Sequence, residues 1–123
     1  MSRSILVVED NADNRKLFEW VLEDEGYSAQ CVATAEEGLA ALEARPFDLV
    51  LMDVSLPGMD GKEATRRIRA DPRLAGLPIL AVTAHAVTGE AEAILASGVT
   101  SLLTKPVDES VLLAVIRSAL GGG

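Results

Sequence analysis

The chain of 123 residues is poor in the residue types that build disulfides, cysteine-ligated metal sites and aromatic surfaces. It contains one cysteine, Cys31, and one histidine, His85, so an internal disulfide and a zinc site made of cysteines are both excluded. Aromatic residues make up 3% of the chain, too few for the stacking surfaces of single-strand binders or the walls of most flat-cofactor pockets. A single unpaired cysteine indicates a reducing compartment.

Basic residues are also scarce. Eleven Lys and Arg residues stand against 19 Asp and Glu residues, which gives a net charge of −8. An acidic chain repels phosphate groups, so direct nucleic-acid binding and binding to an acidic membrane surface are not expected. The sequence has no run of roughly 18 apolar residues and no signal-peptide core. We therefore expect a cytoplasmic protein without membrane insertion.

Hydrophobic residues are plentiful. They form 49% of the chain, and the mean hydropathy of +0.25 excludes intrinsic disorder. The length fits one domain, and we expect residues 1–123 to form it. Short continuous apolar runs alternate with amphipathic segments, a pattern typical of a parallel sheet covered by helices on both faces. The predicted strands are 5–8, 28–33, 48–52, 78–82 and 99–103.

Five predicted helices alternate with these strands. They occupy the segment between Asp10 and Gly26, residues 35–45, the segment from the Gly61 turn to about Asp71, residues 87–97, and the segment after Pro106. In the first, Phe18, Val21 and Leu22 share a face, Leu17 lies at its margin and Trp20 points away. The fourth contains Gly89 and is expected to be the least stable. The last is expected to point six residues inward: Val111, Leu112, Val115, Ile116, Ala119 and Leu120.

Polar residues follow four of the predicted strands. They are Glu9 and Asp10 after the first, Asp53 after the third, Thr83 after the fourth and Lys105 after the fifth. The carboxyl ends of parallel strands share one edge of a sheet, so these side chains are expected to converge. Taken singly, Asp10 and Thr83 would be interpreted as helix caps and Lys105 as a solvated lysine. Convergence at one edge overturns that interpretation.

Three carboxylates packed together repel one another and need a cation. Oxygen-only ligands suit Mg²⁺, with Mn²⁺ as a substitute. Once a metal offsets their charge, one carboxylate can attack phosphorus to form an aspartyl phosphate, with a lysine and a hydroxyl binding the phosphoryl oxygens. The pattern therefore predicts a phosphoryl acceptor.

These positions, in this chain order, resemble the receiver domain of two-component response regulators, including the chemotaxis-regulator-like members. The resemblance covers the whole chain and includes the stretch from Leu51 to Gly61. It implies a flavodoxin-like, doubly wound α/β fold with a five-stranded parallel sheet of order 2-1-3-4-5. It also implies roles for the following residues: Asp53 as phosphoacceptor, Glu9 and Asp10 as metal ligands with Asp53 and the Ser55 carbonyl, Thr83 as switch hydroxyl, and Lys105 followed by a cis-proline, Pro106.

The resemblance implies a phosphorelay signalling switch and not a turnover enzyme. Its phosphodonor would be a histidine kinase or a histidine phosphotransfer protein, and its output a changed affinity for a downstream protein effector. Stand-alone regulators and receivers of hybrid kinases are equally similar. The donor is expected to dock on the first helix and the loop after Lys105, near Trp20. Trp20 is either part of that contact or an incidental surface residue.

Three other functions are weighed. An aspartyl-phosphate hydrolase of the haloacid-dehalogenase type needs a second Asp two residues after the first, where this chain has Ser55. A flavodoxin-like flavin binder is disfavoured by the acidic site and the few aromatics. An interaction module that has lost phosphorylation is disfavoured because all five site residues are present.

The sequence departs from the family pattern at Leu102, three residues before Lys105, where the family usually has an aromatic residue. We expect that Leu102 does not act as a ring switch and that the signal travels through residues 83–88 and the helix that follows. His85 and Ser55 are expected to flank the path of a hydrolytic water and so to set the phosphoryl lifetime.

Overall fold

The protein forms one five-stranded parallel sheet with helices on both faces, as a computed structural model of residues 3–84 and 88–121 shows. The strand order is β2-β1-β3-β4-β5, which confirms the predicted doubly wound topology. The strands are β1 Ser4–Val8, β2 Ser28–Val32, β3 Leu49–Asp53, β4 Ile79–Thr83 and β5 Ser101–Thr104. The helices are α1 Ala12–Asp24, α2 Ala35–Ala44, α3 Gly61–Ala70, α4 Thr88–Ala96 and α5 Glu109–Ala119, with a 3₁₀ turn at Pro72–Leu74.

The inner strands carry the core because both of their faces are covered. Every residue of β3 and of β4 is buried. Alternate β1 residues face opposite layers: Ile5 and Val7 pack under α1 and α5, whereas Leu6 and Val8 pack under α2 and α3. Each large aliphatic side chain buried in this way contributes about 1.5–3 kcal/mol to the free energy of unfolding.

Side-chain caps begin four of the helices. Asn11, Thr34, Asp60 and Asp108 each accept a hydrogen bond from a backbone N–H in the first turn of α1, α2, α3 and α5, respectively. Such caps satisfy N–H groups that have no partner within the helix. They place the start of each helix directly after a strand-end loop.

The predicted inward face of α1 is confirmed, and that of α5 needs one correction. In α1, Phe18, Val21 and Leu22 are buried and Trp20 is 64% exposed. In α5, Leu112 and Ile116 are buried as expected, whereas Val111 is 50% exposed.

Leu113 takes the buried place that Val111 was expected to hold, with an exposure of 7%. The two residues lie about 100° to either side of Leu112, so the periodicity alone does not separate them. Arg117, one turn beyond Leu113, lies 3.9 Å from the carboxylate of Glu25 at the end of α1. This side of α5 therefore faces the end of α1, and Val111 lies on the other side of Leu112.

The start of β5 also differs from the prediction. The strand begins at Ser101, two residues later than the predicted 99. Gly98 adopts a φ of +113°, and Thr100 Oγ1 accepts a hydrogen bond from the Ile79 N–H, so residues 98–100 form a turn that leads into the strand. No helix in 3–84 or 88–121 has the length and apolar character needed to cross a membrane.

Candidate functional site

Five of the predicted site residues follow or end strands at one edge of the sheet. Glu9 and Asp10 come directly after β1, Asp53 and Thr83 end β3 and β4, and Lys105 follows β5. The strands are parallel and in register, with Asp53 opposite Val82 and Thr83 opposite Thr104. Their carboxyl ends therefore open into one cleft.

Three carboxylates meet in this cleft, and we call Glu9, Asp10 and Asp53 the acidic triad. Each offers an oxygen that lies within 4.8 Å of the oxygens of the other two. Glu9 and Asp53 are buried, at 1% and 4% exposure, whereas Asp10 is exposed. The triad thus has two members held inside the protein and one at the solvent boundary.

Lys105 supplies the positive charge that faces the triad. Its Nζ atom donates a hydrogen bond to Asp53 Oδ2 at 3.1 Å and lies 3.1 Å from Glu9 Oε1. The second contact is an ion-pair approach without hydrogen-bond geometry, so Glu9 Oε1 accepts no hydrogen bond within the described part of the chain. A buried carboxylate oxygen is left with an unused lone pair.

Backbone N–H groups hold the other oxygens of the two buried carboxylates. The Asn11 N–H donates to Glu9 Oε2 at 3.0 Å, and the Ser55 N–H donates to Asp53 Oδ1 at 3.0 Å. These bonds fix the direction in which each carboxylate points. They leave Oε1 of Glu9 and Oδ2 of Asp53 turned toward Lys105.

Burial and charge shift the titration of two site groups. Burial raises the pKa of Glu9, the Asn11 N–H opposes that shift, and the nearby Asp53 charge adds to it. For Lys105, burial alone would lower the pKa, but the hydrogen bond to Asp53 and the negative charges of Asp53 and Glu9 outweigh that effect, so the pKa is raised. Lys105 therefore stays protonated at neutral pH.

The acidic triad fits a divalent cation. When all three carboxylates are ionised, the Lys105 ammonium neutralises one of their negative charges and leaves two. The Oε1 atom of Glu9, which accepts no hydrogen bond in the described part of the chain, faces into the cluster. Hard carboxylate oxygens are the ligands that Mg²⁺ and Mn²⁺ prefer. Ser55, whose carbonyl the resemblance implies as a further ligand, is exposed two residues after Asp53.

The remaining predicted residues have these positions. Thr83 is buried at 1% exposure at the end of β4, and the Lys105–Pro106 peptide bond is cis, as the resemblance implies. Leu102 is half-buried and packs against the cluster of Val54, Ala81 and Ile94. His85 lies outside the described residues.

The loop from β3 to α3 is packed tightly against the phosphoacceptor candidate. The Gly61 N–H donates to the Val54 carbonyl at 3.0 Å, and the Val54 N–H donates to the Val82 carbonyl at 3.0 Å. A Cβ atom at Gly61 would collide with the Asp53 carbonyl and lie 2.9 Å from Val54 Cα. A residue without a side chain is therefore required at the start of α3.

A groove of about 390 Å³ opens beside the cleft, between α1 and the loop after Lys105. It is lined by Asn14, Leu17, Phe18, Lys105, Pro106 and Val107. Two large apolar side chains of α1 are exposed here. Leu17, in the groove wall, is 54% exposed, and Trp20, three residues later on the helix, is 64% exposed.

Sequence reasoning missed Arg15, which contacts the backbone of two acidic residues. Its Nη1 atom donates to the carbonyls of Glu9 and Asp10, each at 2.9 Å. An arginine in the first turns of an amphipathic helix is usually a solvated surface residue, so nothing in the sequence pattern pointed to these contacts.

Comparison with known proteins gives one consistent result. The family model described as response regulator receiver domain matches residues 5–117. The sensor histidine kinase GacS of Pseudomonas protegens is 43% identical over 120 residues, which are 95% of this chain and 13% of GacS. The polar-differentiation response regulator DivK of Brucella ovis is 36% identical over 121 residues, 98% of each chain. The chain thus spans about an eighth of the GacS kinase and nearly all of DivK.

Solved structures agree. A putative response regulator from Chloroflexus aurantiacus superposes with a TM-score of 0.93 at 30% identity, covering 98% of both chains. The receiver domain of a sensor histidine kinase from Pseudomonas aeruginosa, which has a magnesium ion coordinated in its active-site cleft, superposes with a TM-score of 0.92 at 36% identity. That match covers 98% of this chain and 99% of the other.

Proposed function

This chain belongs to the response regulator receiver domain family, the signalling switches of two-component systems, and from that premise we propose that Asp53 is its phosphoacceptor. One observation carries the proposal. Asp53 Oδ2 lies 3.1 Å from Lys105 Nζ, in a cluster with two further carboxylates at the carboxyl ends of the strands.

The transfer step uses the chain's own groups as follows. Asp53 Oδ2 attacks the phosphorus of a phosphohistidine, a P–O bond forms, and the P–N bond of the donor breaks with its electron pair returning to the imidazole. The Ser55 N–H keeps Oδ1 in place during the attack. Lys105 then moves from a carboxylate partner to the phosphoryl oxygens, whose charge it offsets. Atoms and charge balance without a further reactant.

Four groups would hold Mg²⁺ or Mn²⁺ in this site: the Glu9, Asp10 and Asp53 carboxylates and the Ser55 carbonyl. When bound, the metal would lower the repulsion between the acidic triad and the incoming phosphoryl group. The unused lone pair of Glu9 Oε1 supports this assignment.

The output is a change of conformation and not turnover of a substrate. Thr83 ends β4 beside the segment that leads into α4, so its hydroxyl is placed to respond to a phosphoryl group on the neighbouring strand end. We propose that Thr83 binds that group and that residues 83–88 and α4 report it. Leu102 has neither an aromatic ring nor a hydroxyl to expose, and it is half-buried. Its side-chain conformation therefore changes little between the unphosphorylated and the phosphorylated protein. Ser55 and His85 are proposed to set the phosphoryl lifetime.

The proposed partners are a histidine kinase or a histidine phosphotransfer protein and a downstream effector protein. The groove between α1 and the loop after Lys105 is lined in part by Lys105, which contacts Asp53, and this supports it as the donor's docking place. A single receiver domain over 1–123 and a cytoplasmic location remain predictions.

Phosphorylation is tested by intact-mass spectrometry with Mg²⁺ and acetyl phosphate. The wild-type chain should gain one phosphoryl group, and Asp53→Asn should gain none. Asp10→Ala should slow the gain and weaken Mg²⁺ binding. A mass gain that survives Asp53→Asn would exclude Asp53 as the acceptor.

Donor docking is tested with a histidine phosphotransfer domain and the fluorescence of Trp20, the single tryptophan. Binding should change its emission, and Leu17→Ala, which trims the groove, should weaken binding about tenfold. Leu95→Ala is the matched control, because Leu95 is a comparably exposed leucine on α4. Unchanged affinity in Leu17→Ala together with unchanged Trp20 emission would reject this docking place.

A further inference from the structure

Arg15 is the fourth residue of α1, and its side chain reaches back to the loop that carries two members of the acidic triad. Its Nη1 atom donates hydrogen bonds of 2.9 Å to the Glu9 carbonyl and to the Asp10 carbonyl. Its own N–H donates to the Asn11 carbonyl at 3.0 Å, so the residue is anchored in the first turn of α1. The guanidinium thus ties the helix to the backbone of Glu9 and Asp10.

The two shared carbonyls define the shape of the loop. In an extended strand, successive carbonyls point to opposite sides and successive side chains alternate between faces. Here two consecutive carbonyls converge on one nitrogen, so the backbone leaves the extended form directly after β1. This turn lets Glu9 and Asp10, adjacent in sequence, both place carboxylate oxygens within the 4.8 Å cluster that includes Asp53.

Charge alone does not hold this arrangement. The three carboxylates repel one another, and Lys105 contacts only Glu9 and Asp53. In residues 3–84 and 88–121, the Asp10 carboxylate has neither an ion-pair partner nor a hydrogen-bond donor. Its position therefore depends on the backbone that carries it.

We propose that Arg15 is a positioning residue for metal binding, because it holds the Glu9–Asp10 backbone in the turn that aims both carboxylates at the cation. The inference rests on the proposed function, since it takes the acidic triad as the Mg²⁺ site. Partners that only orient metal ligands typically contribute a factor of about 10–100 to metal affinity.

The direction in which Mg²⁺ affinity changes when Arg15 is replaced distinguishes a positioning role from a purely electrostatic one. A nearby guanidinium repels a divalent cation, so loss of its charge alone would strengthen Mg²⁺ binding. Loss of the two carbonyl contacts would weaken it. Lys16, the next residue on α1, is exposed and makes no hydrogen bond or ion pair within the described part of the chain, so its removal changes the charge without changing the turn.

The experiment is titration calorimetry with Mg²⁺ alone on the wild type, Arg15→Met and Lys16→Met. Methionine keeps the aliphatic stem and removes the donors and the charge in both variants. We expect the Kd for Mg²⁺ to rise about tenfold in Arg15→Met and to stay equal or fall slightly in Lys16→Met. Arg15→Lys, whose ammonium is one bond shorter, should recover part of the loss, which a general loss of stability would not explain.

Two further variants distinguish failure of the metal-site assignment from failure of the role of Arg15. Asp10→Ala tests the proposed function itself: if Mg²⁺ binding is unchanged in that variant, the metal site lies elsewhere and the whole site assignment fails. If Asp10→Ala abolishes binding while Arg15→Met binds like the wild type or more tightly, only the role of Arg15 is overturned. Should Arg15→Met not fold, Arg15→Gln is measured in its place, and a wild-type Kd in that variant overturns the proposal equally.

Discussion

The thiol of Cys31 lies half-buried on β2, where burial, with the charge of Glu19 adding to it, raises its pKa to about 11. A thiolate fraction that is roughly a quarter for an ordinary cysteine at pH 8 falls to about 0.1%. The higher nucleophilicity of the rarer thiolate offsets part of this difference. The folded protein is therefore expected to keep a poorly reactive thiol, in contrast to a redox-sensing cysteine.

We predict that Cys31 reacts with an aromatic disulfide reagent at pH 8 at least about tenfold more slowly in the folded chain than in urea. Because its folded pKa is raised, the unfolded chain loses the thiol proton first as pH rises. The contribution of Cys31 to stability is therefore present below about pH 9 and declines toward pH 11. Equal reaction rates in the folded and the denatured protein would show that the thiol is neither buried nor shifted.

Gly61 is a second residue whose surroundings allow the effect of a substitution on stability to be predicted. An added Cβ would collide with the Asp53 carbonyl, whereas an added Cβ at Gly89 would meet nothing within 4 Å. We expect Gly61→Ala to lower the free energy of unfolding by about 1–3 kcal/mol, as overpacking typically does. Gly89→Ala should raise it by up to about 1 kcal/mol, because alanine is favoured within a helix.

Chemical denaturation measures the free energy of unfolding of both glycine variants. Gly61→Ala should also slow phosphorylation, because the collision displaces the backbone that carries Asp53. The prediction fails if the two variants change stability in the same direction.

At the scale of elements, α4 packs on the rest of the protein through a single buried side chain among its described residues. Its buried contact is Ile94, and its first turn is joined to α3 by the 3.3 Å ion pair of Glu90 with Lys62. Beyond its end, Arg69 Nε donates to the Gly98 carbonyl at 2.8 Å. Both contacts thus join α4 and its following turn to α3, and the helix follows Thr83 along the chain.

The position of α4 after Thr83 predicts where phosphorylation is reported. Amide hydrogen exchange of Gly89 to Ile94 should slow when the protein is phosphorylated, while Leu102 side-chain signals stay nearly unmoved. Glu90→Gln should speed exchange in the same segment of the unphosphorylated protein, because it removes the ion pair that holds the first turn. A full rotamer change of Leu102 with unchanged exchange in α4 would contradict the account.

For the whole molecule, the sequence predicted the alternation of strands and helices and the position of the site because both follow from regular patterns, whereas the strand order was implied by the resemblance. Continuous apolar runs mark buried parallel strands, and parallel strands bring their carboxyl ends to one edge. Glu9, Asp53 and Lys105 could be placed together on that basis alone. The resemblance then supplied their proposed roles.

Other features depend on tertiary contacts that periodicity does not encode. Val111 and Leu113 lie equally far from Leu112 around α5, and only the way α5 packs in the folded protein decides which is buried. Arg15 reaches back to the Glu9 and Asp10 carbonyls, a contact that depends on one side-chain conformation. Both features arise only in the folded protein.

The central claim is that the phosphoryl group is carried by Asp53, and its location on the chain can be measured directly. Borohydride reduces an aspartyl phosphate to homoserine, so the chain is phosphorylated with acetyl phosphate and Mg²⁺, reduced, digested and sequenced by mass spectrometry. The account predicts homoserine at position 53 and an unmodified aspartate at position 10. Homoserine at position 10, or a phosphoryl group that borohydride does not remove from the chain, would contradict it.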